Sequence, residues 1–224
     1  LHRKSGYIEY YNRHNSNLPS NNIYSIISDG YGGLWVASLE YLLHFDIDKR
    51  NFTIVDVDED GHKLQQYNRL LFCDSKKRIW AGGEMGISVF NQVGTSLLPN
   101  TDFQIASVLK QAFVNCFYET SSGYLWIGTR NGLFALKESD KQFLQYTTEN
   151  GLPSNVIYGI LEDAYGRLWI STNQGLSCLN PESGKFRNFT IMDGLQGNQF
   201  NAGAYCRKDN GYMLFGGVNG ITSF

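Results

Sequence analysis

Short apolar runs alternate with polar turns along the whole chain, and one of these runs recurs at nearly constant spacing. It is Gly-Arg-Leu-Trp-Ile-Ser-Thr at 166–172 and Gly-Tyr-Leu-Trp-Ile-Gly-Thr at 123–129. Less regular copies occur at 32–38, 78–83 and 211–217, so that the five central positions are 43 to 46 residues apart. The four tryptophans of the chain all occupy that central position, namely Trp35, Trp80, Trp126 and Trp169. A fixed period of this size indicates a repeat architecture.

The pattern inside one repeat predicts four strands. In the copy at 156–190, apolar segments at 156–161, 168–171, 176–179 and 186–190 are separated by turns rich in Asp, Asn and Gly. The second turn is Asn-Gly in two other copies, which is a strong hairpin signal. Four short antiparallel strands in about 45 residues are typical of a β-propeller blade. We therefore predict an all-β fold, a β-propeller with four-stranded antiparallel blades.

The recurring tryptophans are predicted to lie in the core between blades rather than to bind a ligand. A small residue follows two positions later in every copy, as Ala37, Gly82, Gly128, Ser171 and Gly216. We expect this small residue to let neighbouring sheets approach closely while the indole ring fills the wider part of the gap. Acidic residues in the first turns, such as Asp29, Asp74, Asp163 and Asp209, are expected to cap those turns.

Counting strands gives the boundaries of the blades. Residues 6–11 match the fourth strand of the repeat at 156–190, so they are predicted to be an outer strand without its own blade. Full blades are predicted at about 22–55, 67–98, 112–147 and 156–190, followed by a partial blade of three strands at 199–224. The leading outer strand either completes the partial blade or belongs to a larger ring. We expect the larger ring, with the chain as one propeller segment.

Composition and charge exclude several functional classes. The net charge is −2 and the only basic run, Lys76-Lys77-Arg78, falls in a turn, so we expect no nucleic-acid binding. The four cysteines lack the spacing of disulfide frameworks or zinc sites, and no apolar run is long enough to span a membrane. The histidines do not recur at one repeat position. We predict no catalytic residues, no metal and no cofactor.

The second turn of each repeat varies in sequence within a constant frame, which is how a rigid fold presents a binding site. We expect the inter-blade loops to lie on the same face as these turns. The candidate ligand-binding residues are therefore Arg130, Asn131, Asn173, Gln174 and Glu84 in the turns, with Asn155 and Asn198 in the loops. Arginine and planar amides suit sugar hydroxyls, carboxylates and sulfates. Ordinary polarity of an exposed turn is the alternative at any single position.

These motifs resemble the two-component regulator propeller repeat. The resemblance rests on Gly-Leu-Pro-Ser-Asn-Val at 151–156, on the Trp motif at 166–172 and on the Gly-Leu pair at 175–176. The segment from 194 to 221 resembles the last repeat before the three-Tyr domain of that family. The second copy departs from the pattern, because Lys77 replaces the turn glycine and the entry loop lacks Leu-Pro-Ser-Asn.

The resemblance implies a function that the composition does not. It implies about five blades of a seven-bladed ring in the periplasmic sensor of an inner-membrane hybrid histidine kinase. The expected ligand is a glycan-derived oligosaccharide. The expected partners are a neighbouring propeller and the three-Tyr domain of the same chain, with a homodimer in the full receptor. This segment itself is not expected to be an enzyme. The alternatives are a non-signalling scaffold that binds proteins, and a propeller lyase or glycosidase.

Overall fold

The computed structural model describes residues 6, 8–38, 41–55, 68–100, 109, 112–137 and 142–224. In these ranges nineteen strands form four four-stranded sheets and one three-stranded sheet, and no α-helix occurs. Within each sheet, strands that are consecutive in sequence are neighbours. The predicted all-β fold with antiparallel blades is confirmed, and the number of blades in the ring stays a prediction.

The described residues divide into two compact units, one up to residue 84 and over 88–103, the other over 85–87 and 104–224. The first blade contains β1 (Ile23–Ser28), β2 (Leu34–Ser38), β3 (Leu42–Asp46) and β4 (Asn51–Ile54). The second contains β5 (Asn68–Cys73), β6 (Arg78–Gly83), β7 (Gly86–Val93) and β8 (Ser96–Pro99). Inside the first unit β1 and β2 lie against β5, so neighbouring blades pack through their inner strands.

The second unit holds the remaining three blades. The third blade contains β9 (Val114–Glu119), β10 (Tyr124–Thr129), β11 (Gly132–Lys137) and β12 (Gln142–Tyr146). The fourth contains β13 (Ile157–Glu162), β14 (Leu168–Thr172), β15 (Gly175–Asn180) and β16 (Lys185–Phe189). The fifth contains β17 (Phe200–Arg207), β18 (Met213–Gly217) and β19 (Gly220–Ser223). The inner strand β13 packs between β9 and β17.

Three of the four tryptophans are fully buried, as the core prediction requires. Trp35 and Trp80 are 0% exposed and Trp126 is 1% exposed. Trp126 belongs to a core cluster that also contains Ile157 and Ile160 of the next blade. Trp169 is only partly buried, although Phe189 and Phe224 lie against it. The fourth blade adds Phe186 of its outer strand to the cluster around Trp126, whereas the described fifth blade has no outer strand to supply an equivalent.

The small residue after the tryptophan permits close approach of two blades, as predicted. A Cβ atom built on Gly128 would overlap the side chain of Cys116 and lie 2.7 Å from Cγ2 of Ile157. Ile157 begins the inner strand of the following blade. Any larger side chain at position 128 would therefore push the third and fourth blades apart.

An aspartate six residues before the tryptophan closes the first turn of the second and fourth blades. Oδ1 of Asp163 accepts hydrogen bonds from the amides of Tyr165 and Arg167, at 2.9 and 3.0 Å. Oδ2 of Asp163 accepts from Nε1 of Trp169 at 3.0 Å and from Nε of Arg167 at 2.7 Å. Asp74 makes the same four bonds in the second blade. One carboxylate thus fixes the turn, the indole and the arginine, and the predicted capping role is confirmed for Asp74 and Asp163.

The first and third blades depart from this arrangement. In the first blade Oδ2 of Asp29 bonds Nε2 of His44 at 2.8 Å, and Nε1 of Trp35 donates instead to Oε1 of Gln92 at 3.2 Å. Gly33 stands at the position of Arg167, where a Cβ atom would lie 2.7 Å from Nε2 of His44. In the third blade the acidic position is Thr120, whose hydroxyl accepts from the amide of Tyr124. Nε1 of Trp126 is buried there without a hydrogen-bond partner.

The leading segment does not form the predicted outer strand over 6–11. Residues 8–11 belong to no strand, and Tyr7 lies outside the described residues. None of the described sheets of this unit pairs with it, and β4 forms the outer edge of the first blade. The segment lies instead on the first blade, where Tyr11 packs edge-on against Phe45 and Phe52. Tyr146, the last residue of β12, likewise packs edge-on against Phe186 of the fourth blade.

Replacing Trp126 by alanine tests the core assignment. We expect Trp126→Ala to lower the free energy of unfolding by about 3–5 kcal/mol, the range for removing a buried large aromatic ring. Trp169→Ala should lower the free energy of unfolding by less, because that ring is already partly exposed. Chemical denaturation measures both. A loss below about 1 kcal/mol for Trp126→Ala would contradict the position of this ring in the core.

Lys77 gives a second test, because it replaces the turn glycine of the other blades. Its φ is 63°, in the left-handed region, where Gly166 of the fourth blade has φ 74°. Non-glycine residues there cost about 1–2 kcal/mol, part of which is offset by the greater freedom of glycine in the unfolded chain. We expect Lys77→Gly to raise the free energy of unfolding by about 0.5–1 kcal/mol. The matched change Gly166→Ala should lower the free energy of unfolding. If both changes raised it, or both lowered it, the left-handed conformation assigned to this turn position would be refuted.

Candidate functional site

The second turns of the third and fourth blades have the same internal geometry. The hydroxyl of Thr129 donates to the carbonyl of Gly132 at 2.9 Å and accepts from the amide of Asn131 at 2.9 Å. Thr172 does the same with Gly175 and Gln174, at 2.9 and 3.0 Å. These buried threonines fix the two turns, and Arg130, Asn131 and Gln174 are exposed at their tips.

Each second turn is joined to the loop that leads into the following blade. The amide of Gly132 donates to the carbonyl of Asn155 at 2.8 Å, and the amide of Gly175 donates to the carbonyl of Asn198 at 2.6 Å. Nδ2 of Asn115 also donates to the carbonyl of Ile157, which links the starts of β9 and β13. Six of the seven predicted site residues therefore lie at one end of the strands in the second unit.

The two loop asparagines use their carboxamide oxygens to hold the loops together. Oδ1 of Asn155 accepts from the amide of Thr148 at 2.8 Å, and Oδ1 of Asn198 accepts from the amide of Ile191 at 2.8 Å. Asn21 makes the equivalent bond in the first unit, to the amide of Arg13 at 2.9 Å. Binding to Asn155 or Asn198 would therefore use the Nδ2 groups, because the oxygens support the loop backbone.

Two short 3₁₀ turns stiffen these loops. They span Thr148–Asn150 and Ile191–Asp193, and each is preceded by a threonine that forms a capping box with the last residue of the turn. The capping threonine accepts from the amide two residues later in both loops. The loops that flank the candidate site are thus held by side chains that are repeated from one blade to the next.

Arg130 is exposed, and its guanidinium stacks on an aromatic ring. The centre of the guanidinium lies 3.7 Å from the centroid of Phe113, and the amide of Arg130 donates to the carbonyl of Phe113 at 3.0 Å. No carboxylate among the described residues forms an ion pair with Arg130. The stacking orients the guanidinium while its N–H groups stay available to an anion. Phe113 precedes β9 outside the repeated motif, so the sequence pattern gave no signal for it.

The other turn residues differ in the hydrogen-bonding groups that they present to a ligand. Oδ1 of Asn173 is buried and has no hydrogen-bond partner, which leaves an acceptor unsatisfied beside the exposed Gln174. The side chain of Gln145 donates to the carbonyl of Asn131 at 3.1 Å, so this carbonyl is already bonded. The geometry thus provides one cation and several amide groups, a set suited to hydroxyl and acidic groups of a ligand.

Glu84 lies in the first unit and is already paired. Oε1 of Glu84 lies 2.6 Å from Nη2 of Arg69, with both side chains about two-fifths exposed. The guanidinium of Arg69 also lies 4.9 Å from the ring centroid of Tyr24. A ligand would have to break or share this ion pair to use Glu84. The partnership joins residues of β1, β5 and the turn after β6, which the spacing in the sequence could not indicate.

Two polar cavities accompany the first turns and outer strands. In the first unit a cavity of about 480 Å³ is lined by residues that include His44, Asp46, Lys49 and Thr53. In the second unit a cavity of about 270 Å³ lies at the opposite end of the strands from Arg130. Among the residues that the structure describes, no group of three or more His, Cys, Asp or Glu side chains is arranged to hold a metal ion.

Hydrogen bonds lower the pKa of two of the turn carboxylates. Burial alone would raise the pKa of Asp163, but bonds from Trp169 and Arg167 outweigh burial and hold it below its ordinary value. Burial likewise opposes a lowered pKa for Asp29, where bonds from His44 and the amides of Tyr31 and Gly33 prevail. Both carboxylates are therefore stabilised in their charged form by the turns that they close.

Antiparallel sheets of four strands, with a tryptophan at the same position in four of the five repeats, place the chain among β-propeller proteins. Residues 17–40, 109–131 and 151–174 match the family model of the two component regulator propeller. These three segments match two-component regulator propeller repeats, and the resemblance seen in the sequence is confirmed for them.

Comparison with individual proteins agrees with this family. The chain is 29% identical over 190 residues to Histidine kinase P4 of Formosa agariphila, an alignment that covers 81% of the chain and 14% of that protein. It also resembles the extracellular domain of a hybrid two component system of B. thetaiotaomicron, with a TM-score of 0.76 at 22% identity. That alignment covers 90% of this chain and 27% of the other.

A propeller enzyme is also structurally similar. Virginiamycin B lyase of Staphylococcus aureus has a TM-score of 0.62 at 15% identity, over 91% of this chain and 69% of the lyase. At identities this low the two structural comparisons establish the fold alone. Among the described residues no helix is both long and apolar enough to cross a membrane.

The lowered pKa of Asp163 predicts an acid-dependent contribution to stability. The contribution is complete above the unfolded-state pKa, near 3.8, and is lost as pH falls through the lower folded-state pKa. Asp163→Asn should lower the free energy of unfolding at pH 7 by about 2 kcal/mol, the scale of hydrogen bonds to a charged group. The difference between the two proteins should shrink at acidic pH in denaturant melts. A difference that is constant with pH, or an equal effect of Asp209→Asn in an exposed turn, would contradict this role.

Proposed function

We propose that the chain is a ligand-sensing propeller segment of a hybrid two-component receptor. The proposal is supported by the two-component regulator propeller repeats and by the similarity to a histidine kinase of which the chain spans only a small part. In such a receptor the kinase activity belongs to another part of the protein. The propeller would bind the signal and transmit its presence through neighbouring domains.

The proposed ligand is a glycan-derived oligosaccharide that carries an acidic group. Its proposed site is the end of the second unit that bears the second turns and the inter-blade loops. The observation that carries this assignment is the exposed guanidinium of Arg130, which is stacked on Phe113 and has no carboxylate partner among the described residues. Arginine binds carboxylates and sulfates with two parallel hydrogen bonds, and the nearby amides suit sugar hydroxyls.

The proposed setting follows from the same family. The sensor would lie in the periplasm as part of an inner-membrane protein, next to another propeller and a three-Tyr domain. We further propose a homodimer in the full receptor and a ring of seven blades. Neither a cofactor nor a nucleic acid is part of this proposal.

Two other functions would give different outcomes in the same experiments. A protein-binding scaffold would bind no glycan and would retain a protein partner. A lyase or glycosidase would change the mass of the glycan during incubation. This alternative is included because the chain is structurally similar to virginiamycin B lyase. Mass spectrometry of the recovered glycan therefore separates sensing from catalysis.

Changing Arg130 to glutamine tests the proposed site. In calorimetric titrations with neutral, uronic and sulfated oligosaccharides, we expect an acidic glycan to bind. Arg130→Gln should weaken that binding by about tenfold or more, since a hydrogen bond to a charged group contributes about 1.5–3 kcal/mol. The melting temperature should not change, because Arg130 is exposed.

The matched control is Arg187→Gln. Arg187 also stacks on a phenylalanine, with its guanidinium 4.8 Å from the centroid of Phe189, but it lies on the outer strand of the fourth blade. This control should bind like the wild type. If an acidic glycan binds and Arg130→Gln binds it equally tightly, the ligand site lies elsewhere. If no glycan binds, the sensing proposal loses its stated ligand.

A further inference from the structure

The cavity of about 270 Å³ in the second unit is built from turns that the proposed glycan site does not use. It lies where the first turns of the third and fourth blades and the loop after β15 meet. Its lining includes Ser121, Tyr124, Glu162, Tyr165, Arg167 and Glu182. The second turns that carry Arg130 and Gln174 are at the other end of the same strands. The two sites are therefore independent.

The floor of this cavity contains a buried carboxylate. Glu162 is only 7% exposed. Its Oε1 accepts from the hydroxyl of Ser121 and its Oε2 accepts from the amide of Ser121, both at 3.1 Å. Each oxygen has a further lone pair free, because a carboxylate can accept about four hydrogen bonds.

No cation among the described residues forms an ion pair with the Glu162 carboxylate. Arg207 is the basic side chain bonded to this residue, and its Nη1 donates at 2.9 Å to the main-chain carbonyl of Glu162. Tyr118 also lies near, and burial raises the pKa of its hydroxyl, which keeps it neutral. A buried carboxylate without a paired cation is costly, so a cationic group entering the cavity would gain an ion pair there.

The rest of the lining favours a positive ligand. Arg167 does not neutralise the cavity, because its Nε is bonded at 2.7 Å to Asp163. Glu182 adds a second, exposed carboxylate. Tyr165, which is 84% exposed, and Tyr124 also line the cavity, so two aromatic rings border it. Aromatic faces attract cations and also pack against methylene groups.

Two cationic side chains of the protein already lie near these rings and limit what the rings can add to the binding energy of a cationic ligand. Lys137 lies over Tyr124 with its Nζ 5.3 Å from the centroid, and the guanidinium of Arg167 lies 5.1 Å from the centroid of Tyr165. The binding energy would thus come mainly from Glu162, with the free face of Tyr165 as the second contribution. A volume of about 270 Å³ is near the lower limit for ligand pockets, so the group that enters must be small.

We propose that this cavity binds a primary alkylammonium group. The ammonium donates hydrogen bonds to the two Glu162 oxygens, and the attached methylene chain lies along Tyr165. A free amine and the end of a lysine side chain share this chemistry. Both fit the volume and the charge of the cavity.

The test is a titration of the 224-residue chain followed by NMR, with the amide of Ser121 as the reporter because it donates to Glu162. The probes are n-butylamine and its neutral counterpart n-butanol. Butylamine should cause saturable shifts of the Ser121 and Ser122 resonances, and butanol should not. Equal shifts with the two probes would overturn the proposal.

Two variants and two controls locate the site. Glu162→Gln should weaken binding of butylamine by about tenfold or more, because it removes the charge and keeps the shape. Tyr165→Ala, which changes an exposed ring, should weaken it severalfold without unfolding the chain. Tyr212→Ala removes the exposed tyrosine of the equivalent turn in the fifth blade and should bind normally, as should Glu149→Gln. Wild-type binding by both Glu162→Gln and Tyr165→Ala would refute the site.

A final comparison identifies the source of the ammonium group. Nα-acetyl-lysine amide is titrated alongside butylamine under the same conditions. Tighter binding of the lysine derivative indicates a lysine side chain of a protein, and tighter binding of butylamine indicates a free amine. Both results support the cavity as an ammonium site, whereas failure of both ligands to bind overturns it. Neither outcome depends on glycan binding at Arg130.

Discussion

The hydrogen bonds of one buried carboxylate organise a blade. In the second and fourth blades this carboxylate closes the first turn, accepts from the indole of the tryptophan and holds an arginine beside it. In the fourth blade the indole also packs against Phe224 and the core cluster of the fifth blade. Turn, core and blade interface therefore depend on the same side chain, which explains why the period of the sequence is easiest to see around it. Where the carboxylate is replaced or redirected, as at Thr120 and Asp29, the indole is left unpaired or finds another acceptor.

At the opposite end of the blade, different residues fix the turn. There a buried threonine and a glycine fix the second turn, and the exposed residues at its tip are free to vary. The conserved geometry of the backbone and the changing side chains together present Arg130 and Gln174 on a rigid edge. Binding groups held on such an edge lose little conformational freedom when a ligand arrives, because the turn is ordered beforehand.

The sequence was sufficient for the strands, the turn aspartates and the position of the tryptophans, because each depends on local patterns that recur. It was insufficient where contacts with residues of another strand, turn or blade determine the environment of a side chain. Trp169 is only partly buried, unlike the other three tryptophans at its repeat position, and Glu84 is ion-paired with Arg69 of β5. The stack of Phe113 on Arg130 and the missing counter-charge at Glu162 are also properties of the assembled blades. Residues 8–11 have the sequence of an outer strand but belong to no strand.

The main-chain bonds between Gly132 and Asn155 and between Gly175 and Asn198 give the rim of the second unit a mechanical property. In the third and fourth blades the second turn is joined to the loop that precedes the next blade by a bond between main-chain atoms. A pull on one tip is therefore passed to the adjoining loop, and from that loop to the inner strand that it begins. The two bonds therefore couple neighbouring blades of the second unit at this end of the strands.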